Sequence, residues 1–278
     1  MSILIANSAD AAHYLKQNQS NLQKTLKRLS SGKKITGGGD DPGGLAVAMK
    51  VNASIKRLAA AQSNVQNGIS FLEVQDGLLE TLGNIVTRIS ELKGLISDDP
   101  LKGQSEKDSY QAEYEDLVSQ YESIRAMEFN AVALFDDEDA TNTDEDLSIA
   151  IDDTGTTTID IKKSNLGHAE LDAVFYDTAT PPATNLETGV TVAQINTALS
   201  RIATLRAENG GAIGRLQFTA QSLSLQKNNM IAALGRIEDV DLAEETSNLA
   251  KHSIMTQASA AMVAQANSQN DIALMLLG

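Results

Sequence analysis

The chain has no cysteine and no tryptophan, only 4 prolines in 278 residues, and 4% aromatic residues. Without cysteine there is no disulfide, no thiolate metal site and no thiol nucleophile. A core so poor in rings must be built from Leu, Ile, Val and Ala. The prolines, Pro42, Pro100, Pro181 and Pro182, fall where helical patterning breaks, so long stretches carry nothing that interrupts a helix. Long apolar runs are missing too. Ile3, Leu4 and Ile5 are too short for a signal-peptide core and nothing approaches a membrane span, so neither a cleavable signal peptide nor a membrane partner is expected. The net charge of -15 excludes a nucleic-acid backbone as the main partner, because phosphate binding is driven by Lys and Arg.

Catalytic patterns are equally sparse. His13, His168 and His252 are scattered and none has a partner at the i, i+4 spacing of a helical metal site. The cluster Gly37-Gly38-Gly39-Asp40-Asp41-Pro42-Gly43-Gly44 lacks the Gly-Lys-Ser/Thr ending of a phosphate loop and reads as a joint between helical segments. Asp41, before Pro42, is pushed out of the helical region. The acidic run after Phe135 does not fit a spaced calcium loop and reads as a solvated surface. No Ser, His and Asp set emerges. The expectation is a non-enzyme with no catalytic residue, cofactor or metal.

What the sequence does contain is heptad periodicity. Val51, Leu58, Val65, Leu72, Leu79 and Val86 recur every seven residues, with Ile55, Ile69, Leu82 and Ile89 at the intervening steps. Ile195, Ile202, the polar Asn209, Leu216, Leu223, Met230 and Ile237 repeat the pattern. Leu117 and Ile124 mark a shorter helix with Tyr110, Tyr114 and Tyr121 on or near its face. A sustained seven-residue seam drives left-handed supercoiling, so the predicted fold is mainly α: an elongated coiled-coil helical bundle.

The two ends are built to pair. Residues 1–34 carry Lys16, Lys24, Lys27, Arg28, Lys33 and Lys34 against Asp10, a balance of plus five. Residues 238–278 carry Glu238, Asp239, Asp241, Glu244, Glu245 and Asp271 against Lys251, a balance of minus five. Leu15, Leu22, Leu26 and Leu29 at one end, and Leu242, Leu249, Met255 and Met262 at the other, are apolar at helical spacing. Paired terminal helices of opposite charge are expected, understabilised alone and in need of further partners. Between the helical regions, Leu147, Ile149 and Ile151 alternate with polar residues, as do Thr157, Ile159 and Ile161. Asp152-Asp153-Thr154-Gly155 supplies turn formers, so a small β-hairpin is predicted there. Residues 177–191 read as a loop leading back into helix.

Specific motifs lie on this frame. Arg28-Leu29-Ser30-Ser31-Gly32, Ile35, and Asp40-Asp41-Pro42-Gly43-Gly44-Leu45-Ala46 resemble the N-terminal signature of bacterial flagellins. The likeness continues through Asn67-Gly68-Ile69-Ser70, Gln111-Ala112-Glu113 and Glu128-Phe129-Asn130. Arg236 to Thr246, Gln265-Ala266-Asn267 and the closing Leu276-Leu277 resemble the C-terminal signature. Departures are Ala131 where the family often has Gly, and Asn270 where it often has Pro. The chain looks like a minimal flagellin without large outer variable domains.

The resemblance implies a filament-forming structural subunit, exported through the flagellar type III secretion channel to an extracellular filament used in motility. It implies an inner filament-core domain from residues 1–42 and 238–278, a helical bundle domain from 43–135 and 191–237, and a short acidic variable segment with the hairpin at 136–190. Implied partners are other copies of the chain in a helical homopolymer, hook-junction and cap proteins, and an export chaperone on the C-terminal region. Leu15, Leu22, Leu26, Leu29, Leu242, Leu249, Met255, Met262, Leu276 and Leu277 are the expected self-assembly residues. Arg88, Glu91, Leu92 and Glu113 match positions that contact the innate immune toll-like receptor for flagellin, although Thr87 and Ser90 replace the Gln and Arg of the usual motif. The alternative within the superfamily is a hook-filament junction protein. A protease insert would need a His-Glu-x-x-His helix, and His168, the lone histidine of the middle region, is followed by Ala169.

Overall fold

The computed structural model describes residues 2–97, 102–136, 146–176 and 185–277 and is mainly α. Pro100, Pro181, Pro182 and acidic residues 137–139, 144 and 145 lie outside the described residues. The described helices are α1 (Ser2–Ser31), α2 (Pro42–Ser97), α3 (Gln104–Arg125), α4 (Ala169–Phe175), α5 (Val192–Glu238) and α6 (Leu242–Leu277). The short strands are β1 (Glu128–Phe129), β2 (Val132–Ala133), β3 (Phe135–Asp136), β4 (Leu147–Ala150), β5 (Thr158–Ile161) and β6 (Ser164–Asn165). The chain divides into two compact units, one from Met1–Ile55 with Asn228–Gly278, the other from Lys56–Lys227.

The second unit is held by the predicted seams. From α2, Leu58, Val65, Ile69, Leu72, Leu79, Leu82, Val86 and Ile89 are buried, and α5 contributes Ile195, Ala198, Ile202, Leu205, Leu216 and Leu223. The polar Asn209 keeps its place in that register by donating from Nδ2 to the Leu72 carbonyl at 2.9 Å. At the rim, Arg206 bonds Asp76 at 3.2 Å and Glu80 at 3.1 Å. Tyr114 and Tyr121 on α3 are fully buried, and their hydroxyls donate to the carbonyls of Val174 at 2.6 Å and Leu166 at 2.9 Å. Tyr121 also stacks on Phe175 with ring centroids 3.8 Å apart. Burial drives both phenols above their ordinary pKa, so they remain neutral donors that tie α4 and its approach to α3.

The predicted hairpin is present: β4 and β5 pair antiparallel with Leu147 opposite Ile161 and Ile149 opposite Ile159. Its turn is organised by Asp152, whose Oδ2 accepts from the hydroxyls of Thr154, Thr156 and Thr157 and from the Thr157 amide. Those donors hold the carboxyl well below the usual carboxylate range. Gly155, at φ 74°, takes the left-handed position. Gly68 on α2 lets the hairpin sit close, because a Cβ there would collide with Ile149 Cδ1 and stand 2.8 Å from Ile161 Cδ1.

Three features were not anticipated from sequence: the tight β1–β2 pair, the parallel β3–β6 pair and α4. The β1–β2 turn places Asn130 at φ 52° and Ala131 at φ 62°. Asn tolerates that region, whereas an alanine Cβ is crowded in it.

Replacing Ala131 by Gly is therefore expected to stabilise the fold by up to about 1 kcal/mol, relief of left-handed strain outweighing the added chain entropy of the unfolded state. A raised urea midpoint would agree; an unchanged or lowered one would count against strain at this turn. Leu72→Asp places an unpaired charge at a site 1% exposed and is expected to destabilise by several kcal/mol, with Val65→Ala milder. Parent-like urea unfolding of Leu72→Asp would contradict the seam.

Candidate assembly surface

The first unit is built around α1 and α6, which pack against each other along their length. Local signals set the helix ends at the joint. Asp41 caps α2 by accepting the Gly44 amide at 2.9 Å, with Pro42 at the first helical position where its missing N–H costs nothing. Asp241 caps α6, accepting the amides of Ala243 at 2.9 Å and Glu244 at 3.2 Å. Gly32, at φ 70°, ends α1 in the left-handed conformation that glycine adopts most readily. Its carbonyl accepts from Val240 at 3.1 Å, while Lys34 N–H donates to the Glu238 carbonyl at 2.6 Å. The segment after α1 is thus bridged to the segment before α6.

The seam between the helices is only partly the one the apolar residues suggest. On α1, Ala11, Leu15, Asn18, Leu22, Thr25 and Leu29 follow one another at alternating steps of four and three, all buried or half-buried. On α6 the corresponding line is Glu245, Leu249, His252, Thr256, Ser259, Val263 and Ala266. Small and polar residues occupy many of these positions, and Asn18, Thr25 and Glu245 are its most buried members, at 7%, 4% and 6% exposure. Asn18 Nδ2 donates to Ser259 Oγ at 2.7 Å across the seam. Arg28 Nε and His252 Nδ1 are buried without a hydrogen-bond partner among the described residues. Small side chains allow close approach, but they remove little apolar area from water.

The expected assembly residues divide accordingly. Leu15, Leu22, Leu29 and Leu249 are half-buried in the seam. Leu26, Leu242, Met255 and Met262 lie off it, 49%, 59%, 40% and 64% exposed. The side chains of Leu276 and Leu277 lie outside the described residues. Tyr14 and Ile254, which sequence reading passed over, are also exposed, at 60% and 66%. The signal that would have found them is their displacement from the four-three line. Along one side of the pair lies a groove of about 770 Å³, lined by Tyr14, Met255, Ala258 and Met262 among others.

Charge pairing between the ends is also narrower than the balance of plus five against minus five suggests. Among the described residues, Arg28 approaches Glu245 at 4.0 Å and Lys33 reaches Glu238 at 2.6 Å. Lys24 turns instead to Asp40 at 2.7 Å, where the glycine-rich segment brings a carboxylate closer than α6 does. Asp40 also accepts the Thr36 hydroxyl at 2.8 Å and amide at 3.1 Å. Lys24 first, then Thr36, hold this carboxyl well below the usual carboxylate range. The glycine-rich joint is therefore pinned to α1.

In the second unit the structure brings together Arg88, Glu91 and Glu113. The exposed Arg88 guanidinium bonds Glu91 and Glu113 at 2.7 Å each, and this double pairing raises its pKa further. Leu92, expected to join them as a contact, is fully buried in the bundle core. One helix face carries Arg88 and Glu91 while the next step turns inward. Among the described residues no group of three or more His, Asp or Glu could hold a metal, and no helix is long and apolar enough to cross a membrane.

The comparisons agree with a chain whose ends carry its most specific features. The family model described as the bacterial flagellin N-terminal helical region matches residues 4–140, and that of the C-terminal helical region matches residues 192–277. Flagellin of Bacillus subtilis (strain 168) is 32% identical, the alignment covering 95% of each chain. The chain belongs to the bacterial flagellin family. The flagellar filament 30.7 kDa core protein of Treponema maltophilum is 30% identical, with 94% of this chain and 93% of that protein covered. A crystal structure of Bacillus cereus flagellin, 24% identical, aligns with a TM-score of 0.48 over 62% of this chain and 94% of its own. The family is one of structural filament proteins, not of enzymes.

The Asp40 cluster makes acid sensitivity testable. With its folded pKa depressed, Asp40 contributes stability that is complete above the ordinary carboxylate value of about 4 and is lost as pH falls from there toward the folded value. Asp40→Asn is expected to lower stability at pH 7 and to shrink the loss on going from pH 5 to pH 3, read from urea midpoints. The same acid loss in parent and variant would remove Asp40 from the account.

Proposed function

We propose that this chain is the subunit of a bacterial flagellar filament, polymerising through the outward faces of α1 and α6. The observation that carries the reading is the divided character of that pair: in its inner seam small and polar residues alternate with half-buried leucines, while Leu26, Leu242, Ile254, Met255 and Met262 are exposed. Such faces gain little in the free subunit and much between subunits, each Leu-sized side chain contributing about 1.5–3 kcal/mol when buried. Head-to-tail contacts that do not close into a ring produce an open helical polymer, which fits relatives named flagellin and flagellar filament core protein. On this reading residues 1–42 and 238–278 supply the inner filament core, 43–135 and 191–237 the surrounding helical bundle, and 136–190 the short outer segment. The filament is extracellular, reached through the flagellar export channel, with hook-junction proteins, a cap and a chaperone for the C-terminal region as further partners. The exposed Arg88, Glu91 and Glu113 remain the candidate contact for the toll-like receptor, with Leu92 as their buried support.

Elongation tests the central reading. Full-length protein added to sheared fragments of its own filaments should extend them. Ile254→Gln and Leu242→Gln, at exposed sites, are expected to change monomer stability by less than about 0.5 kcal/mol while raising the concentration needed for elongation. Variants that elongate as well as the parent would show that these faces stay in solvent. For the receptor contact, an Arg88→Ala monomer as active as the parent in a receptor reporter assay would remove that site.

A further inference from the structure

We propose that Met255 and Met262 are reversible oxidation sites that control whether a subunit can assemble. The inference rests on the filament-subunit reading and adds a chemical state to it. The chain has no cysteine, so reversible sulfur oxidation is confined to its 7 methionines. Met255 and Met262 lie seven residues apart on α6, and both thioether side chains line the groove beside Tyr14. They are 40% and 64% exposed, so a soluble peroxide reaches them in the free subunit. Once their faces are covered by neighbouring subunits that access ends, which confines the reaction to subunits not yet incorporated.

The reaction is a two-electron oxygen transfer. A lone pair on the thioether sulfur attacks one peroxide oxygen, the O–O bond breaks, and the remaining oxygen leaves as water after proton transfer. Sulfur is oxidised to the sulfoxide and the peroxide is reduced. The product is a strongly polar S–O group on a side chain that was apolar and adaptable. In the free subunit that group is hydrated and costs nothing. Neither sulfur lies on the four-three seam, so the α1–α6 pair does not have to re-form around it. In an apolar contact between subunits, the same oxygen must give up its water without a donor arranged to replace it, and the penalty falls on assembly alone. The two methionine sulfoxide reductases, one for each sulfoxide epimer, reverse the change with a dithiol reductant, which is oxidised to the disulfide as the oxygen leaves as water.

The experiment uses full-length monomer treated with hydrogen peroxide, mapped by peptide mass spectrometry, and added to sheared fragments of filaments grown from the same chain. The expected result is retained helical circular dichroism and urea midpoint, with a critical concentration for elongation raised by at least about tenfold, equivalent to about 1.4 kcal/mol per subunit. Treatment with both epimer-specific reductases should restore the parent value. In partially oxidised samples, sulfoxide at Met255 and Met262 should be enriched in the unassembled fraction over the sedimented filaments. The double variant Met255→Leu, Met262→Leu should show the same critical concentration before and after peroxide treatment, whatever that value is. Equal sulfoxide content at these two positions in filaments and supernatant would overturn the proposal, whatever the leucine variant does. So would a peroxide block that persists in that variant. Untreated protein that fails to elongate would instead overturn the filament reading, which separates the two failures.

Discussion

The structure depends on how the two chain ends meet. α1 and α6 pack closely because Ala11, Asn18 and Thr25 face Thr256, Ser259 and Ala266, small enough for the backbones to approach. The same smallness means that the contact yields few buried methylenes, and part of it rests on polar bonds such as Asn18 to Ser259. Net gain from such a bond is about 0.5–1.5 kcal/mol. Several large side chains that would strengthen the pair, Leu26, Leu242, Ile254 and Met262, are on the outside. A pair arranged this way is specified in register but only modestly stabilised.

The second unit reverses that distribution. Its α2 and α5 seams are deeply buried, and the polar members are paired to backbone: Asn209 to the Leu72 carbonyl and Gln75 to the Leu134 carbonyl at 2.6 Å. α3, α4 and the hairpin add further layers, anchored by Tyr114 and Tyr121 and by the close fit of Ile149 and Ile161 at Gly68. The α2–α5 seams therefore carry their stability internally, while the α1–α6 pair leaves several large apolar side chains exposed. This division suits a subunit that must be soluble when free and strongly joined once assembled.

How much of this was readable in advance varies with the length of the pattern. The α2 and α5 seams were legible because the seven-residue repeat runs for many turns and, Asn209 apart, its residues are apolar. The β4–β5 hairpin was legible from strict alternation around Asp152 to Gly155. The β3–β6 pair was not, since two-residue strands brought together over about thirty positions leave no local period. α4 is a single short amphipathic stretch whose reason is the ring of Tyr121 waiting for Phe175. At the chain ends, opposite charge suggested pairing, and the apolar spacing found half of the seam: Leu15, Leu22, Leu29 and Leu249 lie in it, whereas Leu242 and Met262 are exposed, and its polar members Asn18, Thr25 and Glu245 carry no hydrophobic signal. That Arg88 and Glu91 share a face was legible from helical spacing and Glu113 was added by the family resemblance, whereas the buried place of Leu92 depends on packing against other elements.

The central claim is that the terminal pair is weakly held in the free subunit and is completed by neighbours. Amide hydrogen exchange compared between monomer and filament reads this directly. Rapid exchange across residues 1–34 and 245–278 in the monomer, becoming slow in the filament while 58–89 are protected in both, is the predicted result. Terminal amides already as protected in the monomer as the α2 seam would contradict it.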